Sequence, residues 1–586
     1  MARQPKGTGP KQKKGKEGDR DQIFRPVLTD AGSMDSDPCD RRAGRALACT
    51  GLLQEAAPLF GDAEQVPGGG VLLALPLVAA TDILQSFSNV YGRLRPGFYG
   101  LRSTVLMLLF MALLRIRRIE QLKEQCPKRL GWLIGLDRFA EVKTLRRKLS
   151  EMASEGKGVE LMKELARRRT GRLEADSLGV LYVDGHVREY YGKRKLPQTH
   201  VARRNHVAKA VTDTWLNDAN GDPLFVVTSE LNQGLVGALP ALLADAREFI
   251  GERSLTVVFD RGGWSRELFV QLIESGFDFI TYRKGKAPEL PLESFRVVRG
   301  PAGQFWPVHE MSVRMGQAVV HDDVGEEHAL WLRQVTRLRD DGAQTQVVTT
   351  LQQLEASEVL RRIFDRWRQE NFFKYMMREF ALDALVDYSA TSPSAELTCP
   401  NPERKRLQKQ IGRLQKRLRK LQSQVGERTV REPSPWWRSV KCFKKTQAGT
   451  LQTIRDLEHE IETLRIRRLK QPERVPASEN YQRLVPEKKL ITDAIKMTAY
   501  QIESDMLEML RPHYARCEDE GRKLIASALQ TPADIRATAD GLHITLQPMS
   551  SPHRTQAIRT LCEQLNAMGA VFPATDLTLK YSIRDT

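Results

Sequence analysis

The sequence predicts an α/β fold built on a mixed β-sheet. Three observations lead to this prediction. Between residues 178 and 283, three strand-like runs are followed by a helix, a strand, a second helix and a further strand. The strand-like runs are short and mostly apolar, and two of them end abruptly at an aspartate. The segments between the later runs have the length and periodicity of helices, an alternation typical of a sheet with helices packed on it.

The composition limits the class of partner. The chain has 586 residues, a formal net charge of +18 and 41% hydrophobic residues, which predicts three or four globular units. Its excess positive charge favours nucleic acid or an anionic membrane surface. The longest apolar runs span 10 residues, whereas a membrane-spanning helix needs about 20, so no membrane partner is expected. Seven scattered cysteines without a Cys-x-x-Cys pair indicate a reducing cytoplasm.

The first two segments differ in character. Residues 1–70, rich in Gly, Pro, Lys and Asp, are expected to form a mostly disordered basic tail. Residues 71–170 are predicted to be helical. A helix at Glu141–Met152 carries Lys148 and three candidate DNA-binding residues beside apolar positions, and it could enter a DNA groove or simply present a solvated face. These residues are Lys143, Arg146 and Arg147.

The predicted catalytic region spans residues 171–395. Its strands are expected at Leu178–Val183, Asn205–Leu216, Pro223–Thr228, Ser254–Phe259 and Phe277–Tyr282, with helices at Ala238–Ile250 and Trp264–Ser275. Short β-like runs punctuated by Gly, Pro and Asp recur over about 284–350, which predicts an antiparallel β insertion. Helix is expected to resume at Glu355 and to continue to about Tyr388.

Two further units are predicted after this region. Residues 400–475 carry a heptad pattern at Leu407, Ile411, Leu414, Leu418, Leu421 and Val425, repeated from Ile454 to Leu464, which predicts an antiparallel coiled-coil hairpin. The first arm is strongly basic, so it either has an ordinary charged exterior or faces DNA or a second subunit. Residues 485–586 are expected to form a small α+β domain without evident chemistry.

Three acidic residues stand out by their context. Asp184 follows the apolar run Leu181–Val183, Asp260 follows Val257–Phe259, and Glu370 lies on a predicted helix among basic and aromatic residues. A carboxylate at the end of one strand can be a helix cap or a turn former. Three carboxylates brought together at a sheet edge can instead hold two Mg²⁺ (or Mn²⁺) ions about 4 Å apart, as phosphoryl transfer on DNA requires. The sequence therefore predicts a two-metal site on these residues.

A basic loop follows the first aspartate. It carries Lys193, Arg194, Arg203 and Arg204. Basic side chains at a sheet edge beside metal ions suit contact with DNA phosphates, although a solvated loop has the same composition.

At these residues the sequence resembles the DDE insertion-sequence transposases with a β-rich insertion between the second aspartate and the catalytic glutamate. The order strand-Asp, strand-Asp, β insertion, helix-Glu is that of the group, with gaps of 76 and 110 residues here. The group's signature Tyr-x2-Arg-x3-Glu-x6-Lys is matched at Arg366 and Glu370. Ile363 stands at the Tyr position and Met377 at the Lys position. The resemblance covers roughly residues 90–390.

The resemblance implies an RNase H-like catalytic domain whose metal ions are bound by Asp184, Asp260 and Glu370. It implies cleavage at the element ends and attack of the freed 3′-OH on target DNA. Arg366 and Lys374, each four residues from Glu370 on one helix, would hold the phosphates. The implied partners are double-stranded DNA, as element ends and as target, and a second copy of the chain in a homodimer on DNA. The expected location is the cytoplasm, in association with the nucleoid.

Two other functions fit the same residues. An RNase H-like nuclease would use the same metal site without strand transfer. A non-catalytic DNA-binding protein would have the basic surfaces and an incidental set of acids.

Overall fold

The computed structural model describes residues 35–173, 175–228, 234–285, 288–321, 327–394, 397–431 and 448–585. The first half of the expected basic tail and the Pro- and Trp-rich break between the hairpin arms, at 432–447, lie outside these ranges. Within them, helices and strands alternate as an α/β fold requires.

Helices dominate the chain before the central sheet. The helix Leu101–Leu113 is apolar around its circumference and almost wholly buried, because neighbouring helices cover it. The expectation of disorder up to residue 70 is wrong for residues 35–70, which the buried Arg41 holds through Asp35 and the carbonyl of Gly135. The elements of this part are a strand, β1 (Ala63–Val66), and helical segments at Arg42–Cys49, Gly69–Ala74, Leu75–Ala80, Ile83–Tyr91, Leu101–Leu113, Ile119–Glu124, Pro127–Trp132, Val142–Ser154, Gly158–Thr170 and Ala175–Leu178.

Ten strands of the described chain form one mixed sheet. They are β2 (Val180–Glu189), β3 (Gln198–Val201), β4 (His206–Asn217), β5 (Pro223–Thr228), β6 (Leu255–Phe259), β7 (Phe277–Tyr282), β8 (Arg296–Arg299), β9 (Phe305–His321), β10 (Glu327–Leu338) and β11 (Gln344–Thr349). Their order is β3-β4-β2-β6-β7-β11-β10-β9-β8, with β5 also paired to β4. The strands β2, β6 and β7 are mutually parallel, since the helices Gly234–Ile250 and Arg266–Glu274 return the chain before β6 and β7.

The β-rich segment extends this sheet rather than forming a separate one. Strand β11 pairs antiparallel with β7, so that Val347 lies opposite Tyr282. The sequence suggests two strands between His309 and His321, but the structure has the single strand β9. Gly316, at φ +66°, allows the backbone to bend there without ending the strand. Two helices, Ala356–Phe364 and Trp367–Phe380, follow the sheet.

An antiparallel helical hairpin projects after these helices. Its arms are Pro402–Arg431 and Ala448–Leu469. The predicted seam is buried near its base, at Leu407, Ile411, Leu457 and Ile461. The base is closed by two short antiparallel strand pairs, β12 (Ala390–Thr391) with β15 (Arg483–Leu484) and β13 (Thr398–Pro400) with β14 (Arg474–Pro476).

The last hundred residues, for which the sequence predicts a small α+β domain, are packed into the rest of the molecule. Helix Glu487–Leu510 packs against Leu101–Leu113, Val142–Ser154 and Gly158–Thr170, and its residues share one hydrophobic core with theirs. The remaining elements are helices Cys517–Gln530 and Pro552–Ala567 and strands β16 (Ala533–Thr538), β17 (Gly541–Leu546) and β18 (Leu579–Ile583). Strand β1, from the start of the described chain, pairs with β16 and joins this small sheet.

Within the described residues, no single helix has both the length and the apolar composition needed to cross a membrane. The bent pair Gly69–Ala80 and Ile83–Tyr91 meets that test only when taken together.

Candidate active site

The two aspartates lie side by side on neighbouring parallel strands. Val183 of β2 is paired with Phe259 of β6, so the residues that follow them, Asp184 and Asp260, meet where β6 ends. Adjacent strands are about 4.8 Å apart, which fixes the spacing of the two backbones. Strand β2 does not end at Asp184, as the sequence suggested. It continues to Glu189, because its second half pairs with β4.

Asp260 combines a structural role with its position at the sheet edge. Its carboxylate accepts a hydrogen bond from the backbone N–H of Gly262 at 2.7 Å, capping the short turn Arg261–Gly263. The cap fixes the side chain at the end of β6, where an open cleft begins.

Glu370 lies in the first turn of the helix Trp367–Phe380. Arg366 precedes it by four residues and bridges two of the acids. One guanidinium nitrogen of Arg366 lies 3.2 Å from Asp184 and another lies 3.0 Å from Glu370. The arginine side chain is only 15% exposed, so both ion pairs are partly shielded from water. Arg366 and Asp184, which are 182 positions apart in the sequence, are therefore in direct contact.

The buried Gln369 fixes the helix that carries Glu370. Its side-chain amide donates to the carbonyls of Tyr182 and Trp215 and, at 2.7 Å, to the side-chain oxygen of Asn217. One side chain therefore ties the helix to both β2 and β4. Sequence reasoning missed this residue; a glutamine preceding a functional acid on a helix is its only signal.

The environment of Asp184 disfavours its charged form. Burial is the main cause that raises the pKa of Asp184 to about 6, and the negative charges of Asp260 and Glu370 raise it too. Arg366 and the backbone N–H of Gly185 act in the opposite direction. A carboxylate crowded by two others is electrostatically suited to a cation.

An open cleft of about 750 Å³ begins at Asp260. Its wall is rich in arginine and includes Arg261, Arg337 and Arg366. The Arg337 guanidinium lies 4.4 Å from the ring centre of Trp306 and 5.2 Å from that of Phe364, which fixes its plane. Asp260, Asp340 and Asp341 also line it, and Arg339 is paired with Asp341, so Arg261, Arg337 and Arg366 are the cleft cations that suit a phosphate-bearing ligand.

As the side chains stand, no three His, Cys, Asp or Glu residues in the described ranges are grouped closely enough to hold a metal ion. The reason at this site is that the Arg366 guanidinium lies between Asp184 and Glu370. The donor set nevertheless fits hard divalent cations, which prefer carboxylate oxygens. Arg366 compensates Asp184 and Glu370, whereas no ion pair of Asp260 is found among the described residues.

The predicted DNA-binding residues differ in how near they lie to this site. Arg366 is part of it, and Lys374 is exposed one helical turn beyond Glu370. Lys193 and Arg194 are exposed in the loop after β2.

The other two predicted DNA-binding residues of this loop form ion pairs. Arg203 pairs with Asp383 at 3.0 Å, and Arg204 pairs with Glu189 at 3.2 Å.

Arg203 also contacts the sulfur of Met377, which stands at the lysine position of the signature. A cation from a different element therefore lies beside that position, a placement that the sequence could not reveal.

The more distant basic helix is not brought to the site by the structure. Lys143, Arg146 and Arg147 are exposed on Val142–Ser154, which packs against Ile119–Glu124 and Glu487–Leu510. Arg146 is paired with Glu120.

Comparison with known proteins gives one extensive match. A family model described as "Transposase protein" (Transposase_29) matches residues 37–585, almost the whole chain. Among solved structures, the cryo-EM structure of the piggyBac transposase synaptic complex with hairpin DNA aligns over 52% of this chain and 68% of that chain. The identity is 11% and the TM-score 0.31, too low to identify a shared fold. No curated protein matches the chain.

Proposed function

The chain belongs to this transposase family, and from that premise we propose that it is a DDE-type DNA transposase. It cuts phosphodiester bonds at the ends of a mobile element and joins the freed 3′-OH to target DNA. The observation that supports this chemistry is the grouping of Asp184, Asp260 and Glu370 at the point where β6 ends and the arginine-rich cleft begins.

Asp184, Asp260 and Glu370 would hold two Mg²⁺ or Mn²⁺ ions. Bound ions of this kind activate the attacking oxygen and stabilise the leaving oxygen in an in-line displacement. The carboxylates supply hard oxygen donors. The charges of Asp260 and Glu370, which add to burial in raising the pKa of Asp184, are charges that such ions would neutralise.

Arg366 and the cleft arginines bind the DNA strand. When metal ions bind Asp184 and Glu370, the Arg366 guanidinium can contact a phosphate instead, since its planar set of donors suits phosphate oxygens. Arg337, whose guanidinium lies beside the rings of Trp306 and Phe364, offers a second phosphate contact in the same cleft. Lys374, Lys193, Arg194 and Arg203 extend the positive surface around the site.

We further propose that the core is RNase H-like. The parallel strands β2, β6 and β7 are flanked by the antiparallel strands β4 and β5, and the acids come from β2, from the end of β6 and from a later helix. Strand transfer joins two ends to one target, so the working form is a homodimer on double-stranded DNA. It acts on the nucleoid in the cytoplasm.

The test is a strand-transfer assay with duplexes carrying the sequences that flank the gene, with Mg²⁺ or Mn²⁺. We expect cleaved and joined products from the wild type, and loss of both with Asp184→Asn or Glu370→Gln while the duplexes are still bound. Matched controls are Asp62→Asn and Glu252→Gln, exposed acids away from the site, which retain activity.

Two results would count against the proposal. Cleavage without any joined product would assign the chain to the RNase H-like nucleases. Unchanged cleavage in both active-site variants would remove Asp184 and Glu370 from the chemistry.

A further inference from the structure

Five exposed basic side chains form a stripe on the first arm of the helical hairpin, Pro402–Arg431. They follow one another at intervals of four, four, three and four residues, so they share one face of the helix. This face is opposite the seam formed by Leu407 and Ile411. At a rise of 1.5 Å per residue the stripe is about 22 Å long. Its residues are Lys405, Lys409, Arg413, Lys416 and Lys420.

The charges of this basic stripe are not compensated within the described chain. None of its five residues takes part in an ion pair among the residues that the structure places. The nearby acid Glu403 is paired with Arg406 and Arg467 instead. The second arm, Ala448–Leu469, carries as many acidic as basic residues, so it does not neutralise the stripe. The hairpin is therefore electrostatically one-sided.

The surroundings of the stripe favour DNA over a protein partner. Between Lys405 and Lys420 this face and its borders have no apolar side chain; the other residues there are Arg406, Gly412, Arg417 and Arg419. Protein interfaces depend on buried aromatic or aliphatic anchors and are depleted in lysine, whereas a row of cations is the usual match to a phosphate backbone.

The hairpin starts beside the basic loop that follows β2. Leu484, in the strand pair at its base, packs against Tyr190 and Leu196 of that loop. The backbone N–H of Gln482 donates to the carbonyl of Lys195 at 2.7 Å. The exposed Lys193 and Arg194 thus lie near the root of the hairpin.

We propose that the basic stripe binds the sugar-phosphate backbone of duplex DNA outside the active-site cleft. This contact adds sequence-independent affinity for the DNA, which is cleaved at the active site elsewhere on the chain. The inference rests on the proposed function only in taking DNA as the substrate.

The test measures binding of the full chain to a labelled duplex of arbitrary sequence, about 30 base pairs long, at several salt concentrations. EDTA is present, so that binding is read without cleavage. The stripe variant combines Lys409→Gln, Arg413→Gln and Lys416→Gln, since glutamine keeps the helix propensity. The matched control, Arg455→Gln with Arg465→Gln and Arg467→Gln, removes the same charge from the second arm.

We expect the stripe variant to bind about tenfold more weakly at 0.1 M salt and to reduce the salt-dependence slope by about 3, near 0.9 per lost phosphate contact. The control should change the affinity less than about twofold, as expected of charges that contact no phosphate. A charge-preserving variant, Lys409→Arg with Arg413→Lys and Lys416→Arg, should bind as the wild type does.

Equal losses in the stripe and control variants would overturn the proposal, as would unchanged DNA binding in the stripe variant. Unchanged DNA binding with a loss of the dimer on sizing would assign the stripe to a second copy of the chain. Because EDTA prevents cleavage, these results do not depend on whether the proposed strand transfer occurs.

Discussion

Asp184 and Glu370 accept hydrogen bonds from two nitrogens of the same guanidinium, that of Arg366. The arginine therefore occupies the place where a divalent cation would compensate the two carboxylates. Any cation that binds there competes with Arg366, and the arginine released by this competition becomes available to a phosphate.

Removing Arg366 should strengthen metal binding and weaken catalysis. In Arg366→Ala the carboxylates lose their internal partner, so we expect the Mn²⁺ concentration at half-maximal thermal shift to fall several-fold. Cleavage should fall by about 100-fold, as expected when a charge that stabilises the transition state is lost. The control is Arg368→Ala, which removes a nearby arginine that contacts Ala219 and Asp365 rather than Asp184 or Glu370. An unchanged or higher Mn²⁺ requirement would contradict the competition.

Replacing Asp184 by asparagine should stabilise the protein in the absence of divalent ions. The folded-state pKa of Asp184, about 6, lies above its ordinary value, so ionisation of this group opposes folding. The wild type should therefore lose stability relative to Asp184→Asn as the pH rises from about 4 to 7, by an amount on the order of 1–3 kcal/mol. Urea denaturation in EDTA at several pH values measures this. A difference between the two proteins that does not vary with pH would contradict the cause given.

The Gln369→Leu variant should loosen the helix that carries Glu370. The substitution leaves the side chain of Asn217 and two backbone carbonyls without their donor, which costs about 1–3 kcal/mol of unfolding free energy. Cleavage should fall as well, because Glu370 is no longer fixed against β2. Asn371→Ala, at an exposed neighbour on the same helix, is the control. Urea denaturation and cleavage both at wild-type level in Gln369→Leu would show that the tether is dispensable.

Lys496→Met should raise the melting temperature by several degrees at neutral pH. Burial lowers the pKa of Lys496 to about 7, and the nearby charge of Lys489 lowers it too. Keeping this amine charged opposes folding, so the wild type is penalised most at pH 7 and below. The penalty fades as the pH rises towards the ordinary pKa of lysine, about 10.4. Melting curves from pH 6 to 10 should show the gain of Lys496→Met shrinking with pH, and a constant gain would contradict this cause.

The strands that position the aspartates could be predicted because they are apolar runs ended by a polar residue. The sequence suggests strands up to Val183 and up to Phe259, and the structure pairs these two residues. The long gap between Asp260 and Glu370 likewise indicates a β insertion, since no short loop could account for it. What could not be predicted is that the insertion continues the same sheet through β7 and β11, because strand pairing depends on contacts between distant residues.

The interactions that hold the site together could not be predicted from the sequence either. The partners of Gln369 and Arg203, which are Asn217 and Asp383, lie far along the chain, and the sequence does not identify them. The packing of the C-terminal α+β segment into the rest of the molecule could not be predicted for the same reason. Its first helix mixes charged and apolar residues, and only the fold shows that several sides of it are covered.

The burial of helix Glu487–Leu510 has a consequence for how the protein is made. Its Glu503 pairs with Arg115 at 2.7 Å and accepts a hydrogen bond from Tyr375, which lies on the same helix as Glu370. A nascent chain that has not yet emerged beyond residue 487 therefore has a largely buried arginine that keeps Glu379 but lacks the second of its two acids, and an active-site helix without its support. Prematurely terminated copies should accumulate as inert, protease-sensitive fragments, so that only fully translated molecules can mobilise DNA.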